Sequence, residues 1–471
     1  MAISIRRRRR RSRCFPRPAA RRVSFSTLPE SNNRKSCPMN AARPAHRSVI
    51  AETIAIGSEL LVGGRSDSNS LFITEALGRL GIEVRFKSIV GDDEADMVQV
   101  LKTAVSRAGV VIVTGGLGPT VDDCTREAVA KATGRRLARR KAALDGMTAR
   151  LAQWGRQPNK GQLRQATIPA GATVVTNPVG SAPGFLLEWK GATLVSLPGV
   201  PREMEAMMTE SVIPFLADQL ARSTRTCPQP ITRQVFHTWG LPEADVDAKL
   251  QGLIPKRAPV DLGLLASPMG VLVSLTTKSG GAGPVSDEAL SSLAQDVRTR
   301  LSDCLFAEGR ETMEEVVGRL LAGQKRTVAL AESCTGGLIG HRLTQVPGSS
   351  AYVDRGAICY SNQSKSEMLG VPVELIAKHG AVSREVAAAM AKGIRELAGV
   401  SVGLSVTGIA GPGGATATKP VGLVYVGLDG GAGGAITREF RFHGDRSVIK
   451  QRSSQAALNL LRLWLIDRGR T

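Results

Sequence analysis

The stretch "AESCTGG" (331–337) places Ser333, Cys334 and a glycine pair between the apolar run 327–330 and the segment "LIGHRLTQV". A serine alcohol attacks a carbonyl only when a neighbouring base removes its proton. No histidine lies in this stretch, in "CYSNQSK" (359–365) or in "TGIAGPGG" (407–414), and His341, His379 and His443 are isolated. A serine–histidine–aspartate arrangement is therefore not indicated. A lysine serves instead when burial lowers its pKa. Lys365 is the candidate base, with Tyr360 nearby to relay or orient the proton. Gly336 and Gly337, opening the next helix, offer backbone N–H groups to the oxyanion of a tetrahedral intermediate. The same residues have a plainer reading, in which Ser333 or Thr335 caps that helix and Lys365 is a solvated charge. Residue types alone favour the plainer reading. Cys334 has no histidine partner and reads as a small buried residue.

A second pattern occurs twice. "GVVIVTGGLGPT" (109–120) and "VGLSVTGIAGPGG" (402–414) both set Thr-Gly-x-x-Gly-Pro directly after a buried strand. Such a strand end delivers N–H groups to an anion at the carboxyl edge of a sheet, although the same loops also occur as mere turns. In the first copy Asp122 and Asp123 follow at once. Carboxylates beside a bound diphosphate commonly hold a divalent cation that neutralises phosphate charge and activates water. They could also cap the helix "CTREAVAKATG", but one cap does not need both.

The elements that must position these residues alternate between strand and helix. From residue 50, "ETIAIGSELL" reads as strand and glycine turn, "SNSLFITEALGRLG" as a helix closed by Gly81, and "IEVRFKSIVG" as an alternating strand. "DDEADMVQVLKTAVSRAG" is a helix with acids in its first turn, where the dipole favours them. Residues 221–305 read instead as a small α+β module: strand-like "QVFHTWG" and "GVLVSLTT", helical "LPEADVDAKLQGL" and the Gly-rich "SGGAGP". The fold class expected is α/β, with two three-layer α/β domains (48–220 and 306–471) joined by the module at 221–305.

Composition narrows the class of function. Of 471 residues 42% are hydrophobic and 22% charged, which excludes wholesale disorder, and 4% aromatic content argues against broad base-stacking platforms. The formal charge is +21, but residues 1–47 hold fourteen Arg or Lys and only Glu30 as an acid, leaving +8 for the rest. An excess of that size suits a protein that handles anionic metabolites as well as one that binds a polymer. The basic extension 1–47 has three readings: a start placed upstream of Met39, a disordered arm for nucleic acid or anionic lipid, or an organellar transit peptide. Seven scattered cysteines without a CxxC pair favour a reducing compartment over a disulfide framework or a zinc ribbon. No stretch reaches the ~18 apolar residues that a membrane span needs.

Several long motifs, in order, resemble one family. "TGGLGPTVDD", "NPVGSAPGF" (177–185) and "LPGVPREM" (197–204) resemble the molybdopterin-binding fold, and "AIGSELLVG" with the following "SN" points to its branch in the competence/damage-inducible protein A (CinA) family. The order of parts over roughly 50–468 is similar to a full-length CinA protein, with a KH-like module at 221–305. For the first domain the resemblance implies metal-assisted hydrolysis of the ADP-ribose pyrophosphate bond. It carries substrate contacts to Gly115, Gly116, Gly118, Thr120, Glu59 and Asn69, and a divalent cation to Asp122 and Asp123. Ser58 stands where the family often has threonine, which keeps the hydroxyl.

In the second domain "AESCTGG", "GSSAYVDRGAICYSNQSK", "GAVSREVAAAMA", "TGIAGPGG" and "KPVG" resemble the family's nicotinamide-nucleotide amidase domain. The resemblance implies deamidation of nicotinamide mononucleotide through a Ser/Lys acyl-enzyme, with no cofactor. Ser333 would be the nucleophile, Lys365 the base and Tyr360 its helper. Thr335, Gly336, Gly337, Thr407, Gly408, Gly411 and Gly413 would hold the substrate, and Arg446 would pair bidentately with its phosphate. Ala415 and Thr418 depart from the expected glycine and acid, which loosens the prediction for that loop.

The expected function is thus a bifunctional hydrolase of pyridine-nucleotide recycling. Its partners would be nicotinamide mononucleotide and ADP-ribose, its assembly a homodimer, its compartment the cytoplasm, with neither nucleic acid nor membrane as a partner. A nucleic-acid-associated role in competence or DNA damage is the alternative, as is a chain in which a single catalytic domain is active. KH domains clamp nucleic acid with a GXXG loop, and neither "GLIP" nor "SGGAGP" fits one.

Overall fold

The computed structural model describes residues 50–223, 229–255, 258–278, 285–431 and 433–469. The basic extension 1–47 and the Gly-rich stretch 279–284 therefore lie outside the described residues.

The first domain is built on β1 (Ile50–Ile56), α1 (Asn69–Arg79), β2 (Glu83–Val90), α2 (Glu94–Arg107), β3 (Val110–Thr114), α3 (Thr125–Thr133), β4 (Thr173–Val175), β5 (Gly184–Trp189) and β6 (Ala192–Leu197). Then α4 (Pro201–Met207) passes through a π-helical turn (Met208–Val212) into α5 (Ile213–Ser223). The six strands order as β2-β1-β3-β6-β5-β4, parallel through β6 and antiparallel beyond it. Every residue of β3, "VVIVT", is buried, as expected of a parallel strand covered on both faces. Val111 and Val113 pack with Met97 and Leu101 of α2, whereas Val110 and Ile112 pack with Leu77 of α1 and Met204 of α4. That alternation makes the three layers.

The module consists of β7 (Arg233–Thr238), α6 (Glu243–Leu250), β8 (Val260–Ser267), β9 (Gly270–Thr277), α7 (Asp287–Arg300) and β10 (Leu305–Glu308). Its sheet runs β8-β9-β7-β10, antiparallel throughout, with Phe236, Val273 and Leu275 facing Val246 of α6 and Leu290 of α7. The boundary expected at residue 305 cuts β10. That strand pairs with β7, so the module's sheet extends to Glu308.

The second α/β domain comprises α8 (Met313–Gly323), β11 (Val328–Glu332), α9 (Leu338–Thr344), β12 (Val353–Ile358), α10 (Asn362–Leu369), α11 (Val373–His379), α12 (Arg384–Ala398), β13 (Val402–Gly408), β14 (Leu423–Asp429), β15 (Ile436–Arg441) and α13 (Arg446–Arg468). The sheet order is β12-β11-β13-β14-β15, with β11 parallel to both neighbours and β13, β14 and β15 antiparallel in turn. On β11, Val328 and Leu330 join the core under α8, α9 and α13, and Ala329 and Ala331 join the core under α10, α11 and α12. Period-two burial carried one residue further sends Glu332 to the α9 side, and this fixes the site described next. Among the described residues no helix is long and apolar enough to cross a membrane.

Candidate active site

Ser333 leaves the end of β11 with its amide donating to the Val406 carbonyl at 3.0 Å, while the Cys359 amide donates to the Glu332 carbonyl at 2.8 Å. The turn is thus pinned by both neighbouring strands. It reverses within four residues because Gly336 and Gly337 both take positive φ, 62° and 92°, a region that side chains disfavour. Ser333 is 7% exposed.

The helix-cap reading of Ser333 and Thr335 does not hold. The residue before α9 is Gly337, which makes no side-chain cap bond. The Glu332 carboxylate takes that role from behind, accepting the amides of Gly337 at 2.9 Å, Ile339 at 3.1 Å and Gly340 at 2.8 Å. A carboxylate at the positive end of a helix satisfies donors that otherwise have no partner. This also corrects the expected oxyanion donors, because the Gly337 amide is engaged by Glu332 and the Gly336 amide donates to the Ser333 carbonyl at 3.1 Å. Among the described residues the Thr335 amide has no acceptor, and the fully buried Thr335 hydroxyl is unpartnered as well.

Lys365 is not a solvated surface charge: it is 1% exposed. Ser361 and Ser364 form a capping box that starts α10, and Lys365 reaches back under that first turn. Its Nζ lies 3.2 Å from Ser333 Oγ, 2.9 Å from the Cys359 carbonyl, 3.3 Å from that of Tyr360 and 3.4 Å from that of Ser361. Burial lowers its pKa from the ordinary 10.5, with the Cys359 and Cys334 thiols acting weakly in the other direction. Burial pushes the Cys334 thiol up to about 12, which keeps it protonated and unreactive at neutral pH.

Tyr360 meets Lys365 only through its backbone. Its side chain is 59% exposed, and its hydroxyl accepts from Arg446 at 2.7 Å. Arg446, the first residue of α13, also donates to the Gly411 carbonyl at 2.8 Å. Two of the five N–H donors of the fork expected to grip a phosphate are thus used within the protein, bracing "CYSNQSK" against "TGIAGPGG", and three remain for a ligand. Thr407 is buried at the end of β13, donating to the Ala381 carbonyl at 2.8 Å. Gly408 has no room for a side chain beside Val424, whereas a side chain at Gly413 would meet nothing.

In the first domain Gly115 and Gly116 take φ of 103° and 63°. A Cβ on either would collide, with the Ile56 carbonyl and the Thr125 hydroxyl respectively, and one on Gly118 would strike the Asp123 carboxylate. Asp123 turns into the loop, accepting from the Thr120 amide at 2.9 Å and from its hydroxyl. Asp122 is exposed, with its carboxyl held below the usual range by hydrogen bonds, first of all from Thr120. Asn69 donates to the Gly199 carbonyl at 2.8 Å and leaves its own buried Oδ1 without a partner. A Cβ on Gly199 would stand 3.3 Å from the Gly115 Cα, so the "SN" and "LPGVPREM" segments meet the glycine loop at one sheet edge. Glu59 lies exposed one turn beyond β1, its carboxylate against Gly57.

Among the described residues no three His, Cys, Asp or Glu side chains converge as a ready-made metal site. Asp122 offers a solvent-exposed carboxylate and Asp123 one turned into the loop. This donor set fits a hard cation that arrives with, and is mostly ligated by, the phosphates of a ligand, as Mg²⁺ commonly is.

The residue that sequence reasoning missed in this loop is Arg126. Buried on α3, it donates to the carbonyls of Leu117 at 2.9 Å, Asp123 at 3.1 Å and Gly118 at 3.4 Å. In the second domain the missed residue is Glu332.

Fold and sites define a protein of two three-layer α/β domains and a small α+β module, with a buried Ser–Lys pair at one sheet edge. Residues 310–465 match the model of the CinA C-terminal domain, 52–218 that of a probable molybdopterin binding domain, and 233–307 that of the damage-inducible protein CinA KH domain. A CinA-like protein of Geotalea uraniireducens is 42% identical over 415 residues, 88% of this chain and 97% of that one. A putative competence-damage inducible protein of Halothermothrix orenii is 41% identical over 88% of this chain and 99% of its own. The solved competence/damage inducible protein CihA of Agrobacterium tumefaciens is 41% identical, covering 32% of this chain and 94% of that chain with a TM-score of 0.31. The chain belongs to the CinA family.

Proposed function

We propose that the second α/β domain hydrolyses the carboxamide of nicotinamide mononucleotide, releasing ammonia and nicotinate mononucleotide. The observation that carries this reading is the buried amine of Lys365 at 3.2 Å from Ser333 Oγ. A lysine whose charge is disfavoured by burial gives up its proton more readily and can then act as a base. Ser333 Oγ attacks the carboxamide carbon as its proton passes to Lys365 Nζ. The C–N bond then breaks, and Lys365 returns the proton to the departing amine as ammonia leaves. Water attacks the acyl-serine ester and gives a proton to Lys365. The ester C–O bond breaks, the acid departs, and Ser333 regains its proton from Lys365. The Thr335 amide, without an acceptor among the described residues, is a donor in the turn open to the oxyanion.

For the first domain the reading is hydrolysis of the pyrophosphate bond of ADP-ribose. The glycine loop braced by Arg126, with the exposed carboxylate of Asp122 beside it, supports that reading. A divalent cation carried in with the diphosphate would be held by Asp122 and would neutralise phosphate charge. The chain's own residues shape the loop and present its backbone to the phosphates.

The test is ammonia release from nicotinamide mononucleotide by wild type beside Ser333→Ala and Lys365→Ala, with ADP-ribose cleavage followed in the same preparations. Loss of ammonia release in both variants, with ADP-ribose cleavage retained, is expected. Folded wild-type protein that releases no ammonia would sink the amidase reading.

A further inference from the structure

The turn that carries Ser333 has little of its own to hold it. Gly336 and Gly337 have no side chains, and the buried hydroxyl of Thr335 has no partner among the described residues. The turn therefore takes its shape from α9, whose first amides are tied to Glu332 just before the serine. A helix of seven residues does not keep its position unaided. Ile339 and Leu343 press α9 into the core, but apolar contact is non-directional and leaves a short helix free to slide and turn.

Arg342 supplies the missing direction. It lies on α9 and is 7% exposed. Its guanidinium donates to Glu314 of α8 at 2.7 Å, and to Gln455 at 2.7 Å and Ser454 at 3.0 Å, both of α13. A planar fork bonded to two other helices fixes both the slide and the rotation of the helix that bears it. Close packing does not duplicate those bonds, because a cavity of about 320 Å³ opens beside Arg342, Glu314 and Gln455, lined also by His237, Met269 and Phe306 of the α+β module. We infer that Arg342 is a positioning residue for Ser333, acting through α9 to keep Oγ at 3.2 Å from Lys365 Nζ. In such a register a displacement of about 1 Å costs about 100-fold in rate. The inference rests on the reading of Ser333 as a nucleophile and deepens it.

The test uses the full chain with Arg342→Met and Arg342→Lys, and a small fluorophosphonate as a probe of the serine that does not depend on the substrate. Ser333 Oγ bonds to phosphorus as the P–F bond breaks; fluoride leaves and the serine proton passes to Lys365. The rate and the final stoichiometry of labelling are followed by mass spectrometry, with kcat and KM for ammonia release from nicotinamide mononucleotide alongside. In Arg342→Met the labelling rate and kcat should both fall about 10- to 100-fold, while stoichiometry stays complete and KM stays within about threefold of wild type. Arg342→Lys keeps the pair with Glu314 but not the fork, so it should be slowed about 3- to 10-fold, and it carries the test alone where the methionine variant does not fold. Either variant labelled as fast as wild type overturns the inference. That result with a lowered stoichiometry marks unfolded chains and a purely structural part for Arg342. Wild type that the probe does not modify at Ser333 overturns the inference as well. Wild type labelled at Ser333 and slowed by both substitutions, but releasing no ammonia, leaves the inference standing and sinks the amidase reading instead.

Discussion

The Nζ of Lys365 lies 3.2 Å from Ser333 Oγ and 2.9 Å from the Cys359 carbonyl. The two contacts together decide what the lysine can do. An ammonium carries three N–H donors and no lone pair, so it can hold carbonyls but cannot take a proton. A neutral amine keeps two donors for the carbonyls around it and turns a lone pair to the serine. Burial lowers the Lys365 pKa from 10.5, which raises the fraction present in the useful form.

The pH dependence follows with a definite sign. Proton loss creates the base, so kcat/KM for ammonia release should rise with pH along a limb whose midpoint lies below the ordinary lysine value of 10.5. Lys365→Arg, which stays charged, should lower kcat by about 1,000-fold. A pH–rate profile of both proteins checks this, and a flat profile or an arginine variant within tenfold of wild type would contradict it.

Much of this site was legible in the sequence, and the remainder was lost for a definable reason. Residue type, with the absence of histidine nearby, put Ser333 and Lys365 forward only beside a plainer helix-cap reading, and the family resemblance decided between the two. What failed depended on direction. Glu332 stands inside the quoted "AESCTGG", yet its use as a cap comes from strand parity, which points its carboxylate at the amides of 337, 339 and 340. The oxyanion donors were misassigned for the same reason. Arg446 and Tyr360 are separated by 86 positions, and no local pattern announces such a pair. Arg126 in "CTREAVAK" resembles any helix-surface charge, and only the fold shows it buried.

Glu332→Gln leaves one acceptor oxygen and turns an NH₂ group toward amides that also donate. Stability should fall by about 1–3 kcal/mol, seen as a lower urea midpoint. The rate of ammonia release should fall about tenfold or more as the Ser333 turn loses its fixed geometry. A stability loss without a rate loss would mean the turn keeps its shape through the Val406 and Cys359 backbone bonds alone.

Tyr360→Phe distinguishes a brace from a proton relay. The hydroxyl accepts from Arg446 at 2.7 Å, so its removal should loosen the substrate walls and raise KM about tenfold while kcat stays within about threefold. Steady-state kinetics with nicotinamide mononucleotide give the split. A fall in kcat of about 100-fold at unchanged KM would return the hydroxyl to proton transfer.

Arg126→Met preserves the apolar bulk in α3 but removes the donors that hold the carbonyls of Leu117, Gly118 and Asp123. Leu117 keeps its bond from Gln165 at 3.1 Å, but the Gly118 and Asp123 carbonyls lose the Arg126 donors, at a cost on the order of 2 kcal/mol. The glycine loop should lose its shape, and ADP-ribose cleavage should fall well below wild type. The Ser333 site belongs to the other α/β domain, so ammonia release should remain within about twofold, as independent sites behave additively. Measuring both activities on one preparation, below the unfolding transition, separates local from global damage. Parallel loss of both would instead mean that the two sites are energetically coupled.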